Sequence, residues 1–253
     1  MVTGSLPSGL RWQGHGSGAP VTLVAPGLGA TPGEARIPAS GLSGTRVVVT
    51  FPSHGDAPDA AADYWTYPTI SVDLERVADE VGATRAVGVS MGAGGLTTVL
   101  SRRPDRFERV ALLLPAALDQ PRAMPAMWAF EQLADAVEAG DLDGLRKLVA
   151  AEVPAGVAVG EHISSRADAL FRLGHALRTL PEQVPVDDVA LLQNVHSQVL
   201  VIGAVGDPLH PEQVARDVAA ALPNGRLELI DSTAPLLTHR REVRSRLVEF
   251  FAD

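Results

Sequence analysis

Short runs of β-branched and aliphatic residues recur along the chain and are separated by longer amphipathic stretches. The runs predict buried β-strands at residues 21–25, 45–51, 86–89, 109–114, 198–203 and 227–231. Apolar residues spaced three and four positions apart predict helices at residues 74–81, 96–100, 214–222 and 243–250. This alternation is typical of a parallel sheet with helices on both faces, in which catalysis occurs at the carboxyl ends of the strands.

Two segments depart from this alternation. Residues 1–18 are polar and rich in Gly and Ser, so we expect a flexible lead-in, with a short edge strand around residues 10–12 as an option. Residues 117–195 carry helical patterns at 127–139, 142–149 and 167–180, which Pro and Gly separate, and no clear strand. The sheet is therefore expected to pause for a helical segment and to resume near residue 198.

The stretch around Ser90 combines a strand, a sharp turn and a helix. Residues 88–92 read Gly-Val-Ser-Met-Gly, the Gly-x-Ser-x-Gly pattern in which a serine is held on a strained turn at the end of a strand. Glycines are needed there because the flanking positions leave no room for a Cβ. The following helix directs its N-terminal amides to the place where a substrate oxygen would become negative. Ser90 is thus a candidate nucleophile.

From residue 10 to residue 251 the sequence resembles the α/β-hydrolase superfamily, because the motif and the strands follow one another in the order expected of that family. The resemblance implies the α/β-hydrolase fold, a mostly parallel, doubly wound sheet with an inserted helical lid. Residues 1–116 and 196–253 would form the core. Residues 117–195 would form the lid, which in this family influences the choice of substrate.

The resemblance also suggests two oxyanion donors. In the family the strand that corresponds to residues 21–25 is usually followed by His-Gly, and the next backbone N–H binds the oxyanion. Here Pro26-Gly27 takes that place, which makes the Leu28 N–H one donor and the Met91 N–H the other. The alternative is that Gly27-Leu28 forms a purely structural turn. His54, in a turn that resembles the family's Gly-His-Gly, is expected to hold that loop.

Asp207 matches the position of the family's triad acid, just beyond the strand at 198–203. A buried carboxylate there would orient a histidine and stabilise its imidazolium form. The alternative is that Asp207 caps a turn ahead of the next helix. His210 directly precedes Pro211 and is expected to cap that helix.

The general base is the point at which the sequence departs from the family pattern. The expected Gly-His after the last strand is missing, and alignment of the closing helix puts Thr233 in its place. Three hypotheses follow. His239 could reach Ser90 through a rearranged loop, another histidine such as His175 or His54 could act instead, or there could be no base and Ser90 would be only a polar wall group.

Composition excludes several other classes of protein. The net charge of −9, with dispersed basic residues, argues against a nucleic-acid partner. No apolar run is long enough for a membrane span, and the polar start shows no signal peptide, so a cytoplasmic location is expected. The chain has no cysteine and therefore no thiolate nucleophile or Cys-based metal site. No metal or organic cofactor is implied, and the oligomeric state stays open.

Together these features favour a serine hydrolase or acyl-transfer enzyme that acts on a small apolar ester, lactone or thioester. Ser90 would be the nucleophile, Leu28 and Met91 the oxyanion donors, Asp207 the acid and His239 the nominal base. Because the usual histidine is displaced, two alternatives stay open. One is a lyase, cyclase or isomerase that uses the same pocket without an acyl-enzyme, and the other is a non-catalytic ligand-binding protein.

Overall fold

The computed structural model describes residues 3–252 and contains one eight-stranded sheet. The strands are β1 (Thr3–Ser5), β2 (Arg11–Gly16), β3 (Val21–Ala25), β4 (Thr45–Thr50), β5 (Arg85–Val89), β6 (Arg109–Leu113), β7 (Gln198–Ala204) and β8 (Gly225–Ile230). Their order across the sheet is β1-β2-β4-β3-β5-β6-β7-β8. β1 and β2 pair antiparallel, as do β2 and β4, and the pairs from β4 through β8 are parallel.

Ten α-helices lie in the described residues. They are α1 (Pro32–Ala35), α2 (Tyr67–Val81), α3 (Met91–Arg102), α4 (Ala126–Glu138), α5 (Leu142–Ala151), α6 (His162–Phe171), α7 (Gly174–Thr179), α8 (Glu212–Ala221), α9 (Pro235–Thr238) and α10 (Arg240–Ala252). Every helix among residues 3–252 is too short or too polar to traverse a lipid bilayer.

Both faces of the sheet are covered, which explains the apolar runs in the parallel strands β3 to β7. One face packs against α2, α3 and α8, and its core includes Leu74, Leu96 and Val218. The other face packs against α10 through Val243, Leu247 and Phe250. The predicted α/β-hydrolase fold, with a mostly parallel sheet between helical layers, is confirmed at the level of these elements.

The N-terminal segment differs from the expectation of a flexible lead-in. β2 pairs along six residues with β4, and Leu10 and Trp12 are buried. A Cβ on Gly4 would come 2.1 Å from Cζ2 of Trp12, so the glycine of β1 lets the indole ring lie against the backbone. β1 consists of small polar residues and can form the edge of the sheet because backbone pairing with β2 holds it, whereas β2 also buries Trp12.

Residues 117–195, the predicted lid, contain α4 to α7 and two short 3₁₀ helices at Leu180–Glu182 and Val189–Asn194. The single helix predicted for residues 167–180 is in fact two, because α6 ends at Phe171 and α7 begins at Gly174. A Cβ on Gly174 would come 3.1 Å from Cγ1 of Val137, so α7 starts where it approaches α4 closely. Buried Leu133, Leu145 and Leu170 join this segment to the core beneath it.

Candidate active site

Ser90 occupies a strained turn between β5 and α3. Its backbone has φ 50° and ψ −110°, a combination that residues with a side chain rarely adopt. The Ser90 N–H donates to the Leu113 carbonyl at 2.9 Å, which anchors the turn to the neighbouring strand. A Cβ on Gly92 would lie 2.1 Å from the Ala25 oxygen, so α3 can approach β3 only with glycine at this position. The motif therefore forms the elbow that the sequence predicts.

The loop after β7 brings two further side chains to Ser90. His210 Nε2 lies 2.9 Å from Ser90 Oγ, and His210 Nδ1 lies 2.8 Å from Asp207 Oδ2. An ionised carboxylate can only accept, so Nδ1 carries the proton and Nε2 is free to accept from the serine hydroxyl. Serine, histidine and aspartate thus form one continuous chain of hydrogen bonds.

Asp207 is held as an anion. Its Oδ1 accepts from the backbone N–H groups of Leu209 at 2.8 Å and His210 at 3.2 Å. Burial on its own would raise the pKa of the Asp207 carboxyl, but the hydrogen bond and charge of His210, with these two backbone donors, lower the pKa below its ordinary value. A charged carboxylate on Nδ1 keeps the imidazole in one tautomer and one orientation.

The prediction that His239 is the base is wrong, because the histidine that contacts Ser90 Oγ is His210. His239 precedes α10, its Nδ1 lies 2.8 Å from Thr238 Oγ1, and it is not among the residues that line the cavity around Ser90. His175 is exposed on α7, and His54 is bonded elsewhere. His210 was expected to cap α8, yet the N-cap residue of that helix is Pro211, and no side chain caps it.

The position of His210 beside Ser90 follows from the order of the strands. Ser90 ends β5 and the 205–211 loop ends β7, with only β6 between them. Adjacent strands lie about 4.8 Å apart, so a side chain from this loop has to span roughly 10 Å. Thr233, after β8, lines the same cavity where the family's histidine would be expected. The spacing Asp207-x-x-His210 was visible in the sequence, but spacing alone cannot tell a capping histidine from one that turns back onto the acid.

Both predicted oxyanion donors belong to residues near Ser90. Leu28 lines the cavity, and a Cβ on the preceding Gly27 would come 3.4 Å from Ser90 Cβ. Met91 begins α3, directly after the serine. Neither the Leu28 nor the Met91 backbone N–H bonds another backbone group among residues 3–252, so both remain available to a ligand oxygen.

Two side chains hold the peptide that follows Leu28. Arg166 of the predicted lid donates Nη1–H to the Leu28 carbonyl at 3.2 Å, and its Nε donates to Glu152 at 3.1 Å. The Gly29 N–H donates to His54 Nε2 at 2.9 Å. His54 therefore holds this loop, which confirms the structural role expected for it.

A cavity of about 600 Å³ opens above Ser90, between the core and the predicted lid. Most of its wall is apolar, with leucines from α4, α5, α6 and α7 at positions 133, 148, 170 and 177. Its polar wall includes a hydrogen-bonded pair formed by Glu34 and His162. Burial would raise the pKa of Glu34, but hydrogen bonds from His162 and Thr31 lower it to about 2, so this carboxylate is charged at neutral pH.

Comparisons with known proteins agree with this architecture. No protein-family model matches the chain. It is 27% identical over 257 aligned positions to "Putative non-heme bromoperoxidase BpoC" of Mycobacterium tuberculosis, an alignment that covers 96% of this chain and 98% of the relative. A bromoperoxidase structure from Bacillus anthracis superposes with a TM-score of 0.80 at 19% identity, over 96% of this chain and 95% of that one.

An esterase structure from Exiguobacterium antarcticum superposes with a TM-score of 0.77 at 16% identity, over 96% of both chains. The chain has the α/β-hydrolase fold. At identities this low the solved structures establish the fold alone, and the chemistry has to be argued from the site.

Proposed function

We propose that the protein is a serine hydrolase or acyl-transfer enzyme that acts on a small, mostly apolar ester, lactone or thioester. The observation that carries this proposal is the chain of hydrogen bonds from Ser90 Oγ through His210 to Asp207, with distances of 2.9 and 2.8 Å. A serine hydroxyl is a weak nucleophile at neutral pH unless a base accepts its proton. His210 meets that requirement.

Each group then has a defined part in the reaction. Ser90 Oγ attacks the carbonyl carbon while its proton passes to His210 Nε2, and the resulting oxyanion is bound by the Leu28 and Met91 N–H groups. Asp207 stabilises the imidazolium. His210 returns the proton to the leaving group, which leaves an acyl group on Ser90. An acceptor, water in the case of hydrolysis, loses its proton to His210 as it attacks the acyl carbon. His210 then returns that proton to Ser90 Oγ as the bond to the acyl group breaks.

The cavity supports the substrate class. Its volume of about 600 Å³ and its leucine-lined wall suit an apolar acyl group of modest size. The charged Glu34 has its hydrogen-bond partner in His162, so the polar part of the wall contains a satisfied pair. An uncharged ester or thioester would enter without leaving a buried charge unpaired.

The proposal is tested by mass measurement after labelling with a fluorophosphonate, which phosphonylates an activated serine and releases fluoride. Wild-type protein is expected to gain one label, and Ser90→Ala none. His210→Asn should label at least about 100-fold more slowly, since a general base contributes on this scale. His239→Asn, the matched control, should label at the wild-type rate. Loss of labelling in His239→Asn but not in His210→Asn would overturn the assignment of the base.

The two alternatives from the sequence rested on the missing histidine, and His210 removes that reason for preferring them. They are still tested by turnover of p-nitrophenyl butyrate. Labelling without turnover would favour a lyase, cyclase or isomerase in the same pocket. Tight ligand binding that Ser90→Ala leaves unchanged, together with no labelling, would favour a non-catalytic binding protein.

The name bromoperoxidase, which two of the similar proteins carry, favours one second candidate. If hydrogen peroxide replaced water as acceptor, its oxygen would attack the acyl carbon, His210 would take the proton, and a peracid would leave Ser90. The peracid would then transfer its terminal oxygen to bromide, which gives hypobromite and the carboxylic acid. With acetate as the acyl donor, the acyl group on Ser90 would form with loss of water. Bromination of phenol red that needs acetate, peroxide and bromide together, and that disappears in Ser90→Ala, would support this candidate.

A further inference from the structure

Arg122 is a buried arginine outside the cavity, on the segment that joins β6 to α4. Its residue exposure is 7%. The guanidinium carbon lies 4.8 Å from the centre of the Phe130 ring, and the Arg122 backbone N–H donates to the Pro181 carbonyl at 3.0 Å. Its Nε makes no hydrogen bond among the described residues. A buried cation of this kind costs folding free energy, so its presence calls for a reason.

The hydrogen bond of the guanidinium indicates what that reason is. Arg122 Nη1–H donates to the carbonyl oxygen of Leu209 at 3.0 Å. Leu209 lies between Asp207 and His210, and its own N–H donates to Asp207 Oδ1 at 2.8 Å. Asp207 therefore holds the peptide before Leu209. The peptide after Leu209 is held at both ends, its N–H by Asp207 at 3.2 Å and its carbonyl oxygen by Arg122.

This contact matters because of where the base lies in this chain. The acid and the base share one loop and are three residues apart, so rotation of the peptide between Leu209 and His210 would move the imidazole relative to Ser90. Helix α8 begins only at Glu212 and has no side-chain cap that would hold its start. Arg122 holds the carbonyl of that peptide from outside the loop.

We propose that Arg122 is a positioning residue for the triad, which keeps His210 Nε2 within hydrogen-bond distance of Ser90 Oγ by binding the Leu209 carbonyl. This inference rests on the proposed function, because it assumes that His210 acts on Ser90. The interaction of Arg122 with Asp207 and Tyr67 favours its charged form against the effect of burial, which lowers its pKa. The guanidinium is then a charged donor to a neutral carbonyl, which is among the stronger hydrogen bonds.

The test compares Arg122→Met and Arg122→Lys with wild type. Methionine keeps much of the apolar contact with Phe130 but cannot donate, whereas lysine retains a charged donor. Arg172→Met is the matched control. Arg172 also joins the predicted lid to the core, since it donates to the carbonyl oxygens of Gly55 and Ala57 at 2.8 and 3.0 Å. These contacts do not involve the loop that carries Asp207 and His210. The readouts are the fluorophosphonate labelling rate, kcat and KM for p-nitrophenyl butyrate, and Tm.

Arg122→Met is expected to label about 10- to 100-fold more slowly, with the loss in kcat rather than in KM, because a small displacement of a catalytic group has effects of this size. Tm should change by no more than about 4 °C, since an apolar residue often replaces a buried ion without loss of stability. Arg122→Lys should recover at least half of the loss on a logarithmic scale, and Arg172→Met should label at the wild-type rate.

Three outcomes would overturn the inference. The first is that Arg122→Met labels at the wild-type rate. The second is that Arg122→Met and Arg172→Met lose the labelling rate equally. The third is that the labelling rate of Arg122→Met falls together with Tm and is not recovered in Arg122→Lys. Absence of labelling in wild-type protein would instead contradict the proposed function, so the two failures are distinguishable.

Discussion

His54 is a buried histidine whose two ring nitrogens both have fixed partners. Its Nε2 accepts from the Gly29 N–H, so its Nδ1 carries the proton and donates to the Pro52 carbonyl at 2.9 Å. Burial, together with the nearby charges of Arg172 and Arg166, lowers the pKa of His54 from 6.5 to about 4. The neutral ring therefore holds the loop that carries Leu28, the proposed oxyanion donor.

This shift predicts a pH dependence of stability. Between pH 6.5 and 4 the unfolded chain binds a proton at residue 54 that the folded chain does not. The stabilising contribution of His54 to the free energy of unfolding is therefore fully present above pH 6.5 and is lost as the pH falls towards 4. His54→Gln cannot titrate. Relative to His54→Gln, wild type should therefore lose about 2 kcal/mol of unfolding free energy when the pH is lowered from 7 to 5. Urea denaturation at both pH values measures it, and parallel curves would contradict it.

Single residues also differ in how far sequence reveals their roles. Ser90 is identified by its motif, because close contacts demand both glycines: Gly92 meets the backbone of β3, and Gly88 meets the backbone at the start of α3. Asp207 is identified by the resemblance, since it matches the position of the family's triad acid just beyond a strand. His210 was assigned to a helix cap and His239 to the base, since the direction of a side chain depends on the path of its loop, which spacing along the chain does not encode.

The turn at Ser90 depends on close packing of helix α3 against strand β3. Gly92→Ala would place a Cβ 2.1 Å from the Ala25 oxygen, where backbone would have to move. We expect a loss of about 1–3 kcal/mol in unfolding free energy, the usual cost of overpacking, together with reduced labelling of the adjacent Ser90. Gly33→Ala, where the nearest atom is 3.9 Å away, is the matched control and should retain stability and labelling. Equal stability of the two variants by urea denaturation would contradict the close contact.

Secondary-structure elements were predicted best where they are buried. The six strands from β3 to β8 lie within about two residues of their predicted positions. In β3 to β7, burial on both faces leaves apolar runs that mark the strands, whereas β8 alternates apolar and charged residues. β1 and most of β2 were missed, since their residues are mainly polar or glycine and the strands are paired through their backbones, β1 with β2 and β2 with β4. The break between α6 and α7 was missed because it depends on contact with α4, a distant part of the chain.

The cavity is a property of the whole molecule, because residues from the core and from the predicted lid enclose it. Leu148→Trp, on α5, should reduce its volume of about 600 Å³. We expect kcat/KM for p-nitrophenyl octanoate to fall about tenfold while that for p-nitrophenyl acetate is retained, since each apolar group excluded from a pocket costs of the order of 1–3 kcal/mol. Leu191→Trp, which is exposed and does not line the cavity, is the control. An equal effect on both esters would indicate that Leu148 does not limit the acyl chain.

By itself the sequence determined the sheet, the helices on its faces and the serine elbow, because these follow from local apolar periodicity and from the steric need for glycine. The tertiary structure alone decided which histidine meets Ser90. His210 reaches it because β7 lies one strand from β5 beyond β6, and because the 205–211 loop turns the ring back onto Asp207. Strand order and loop path arise from contacts between residues far apart in the chain, so no local pattern contains them.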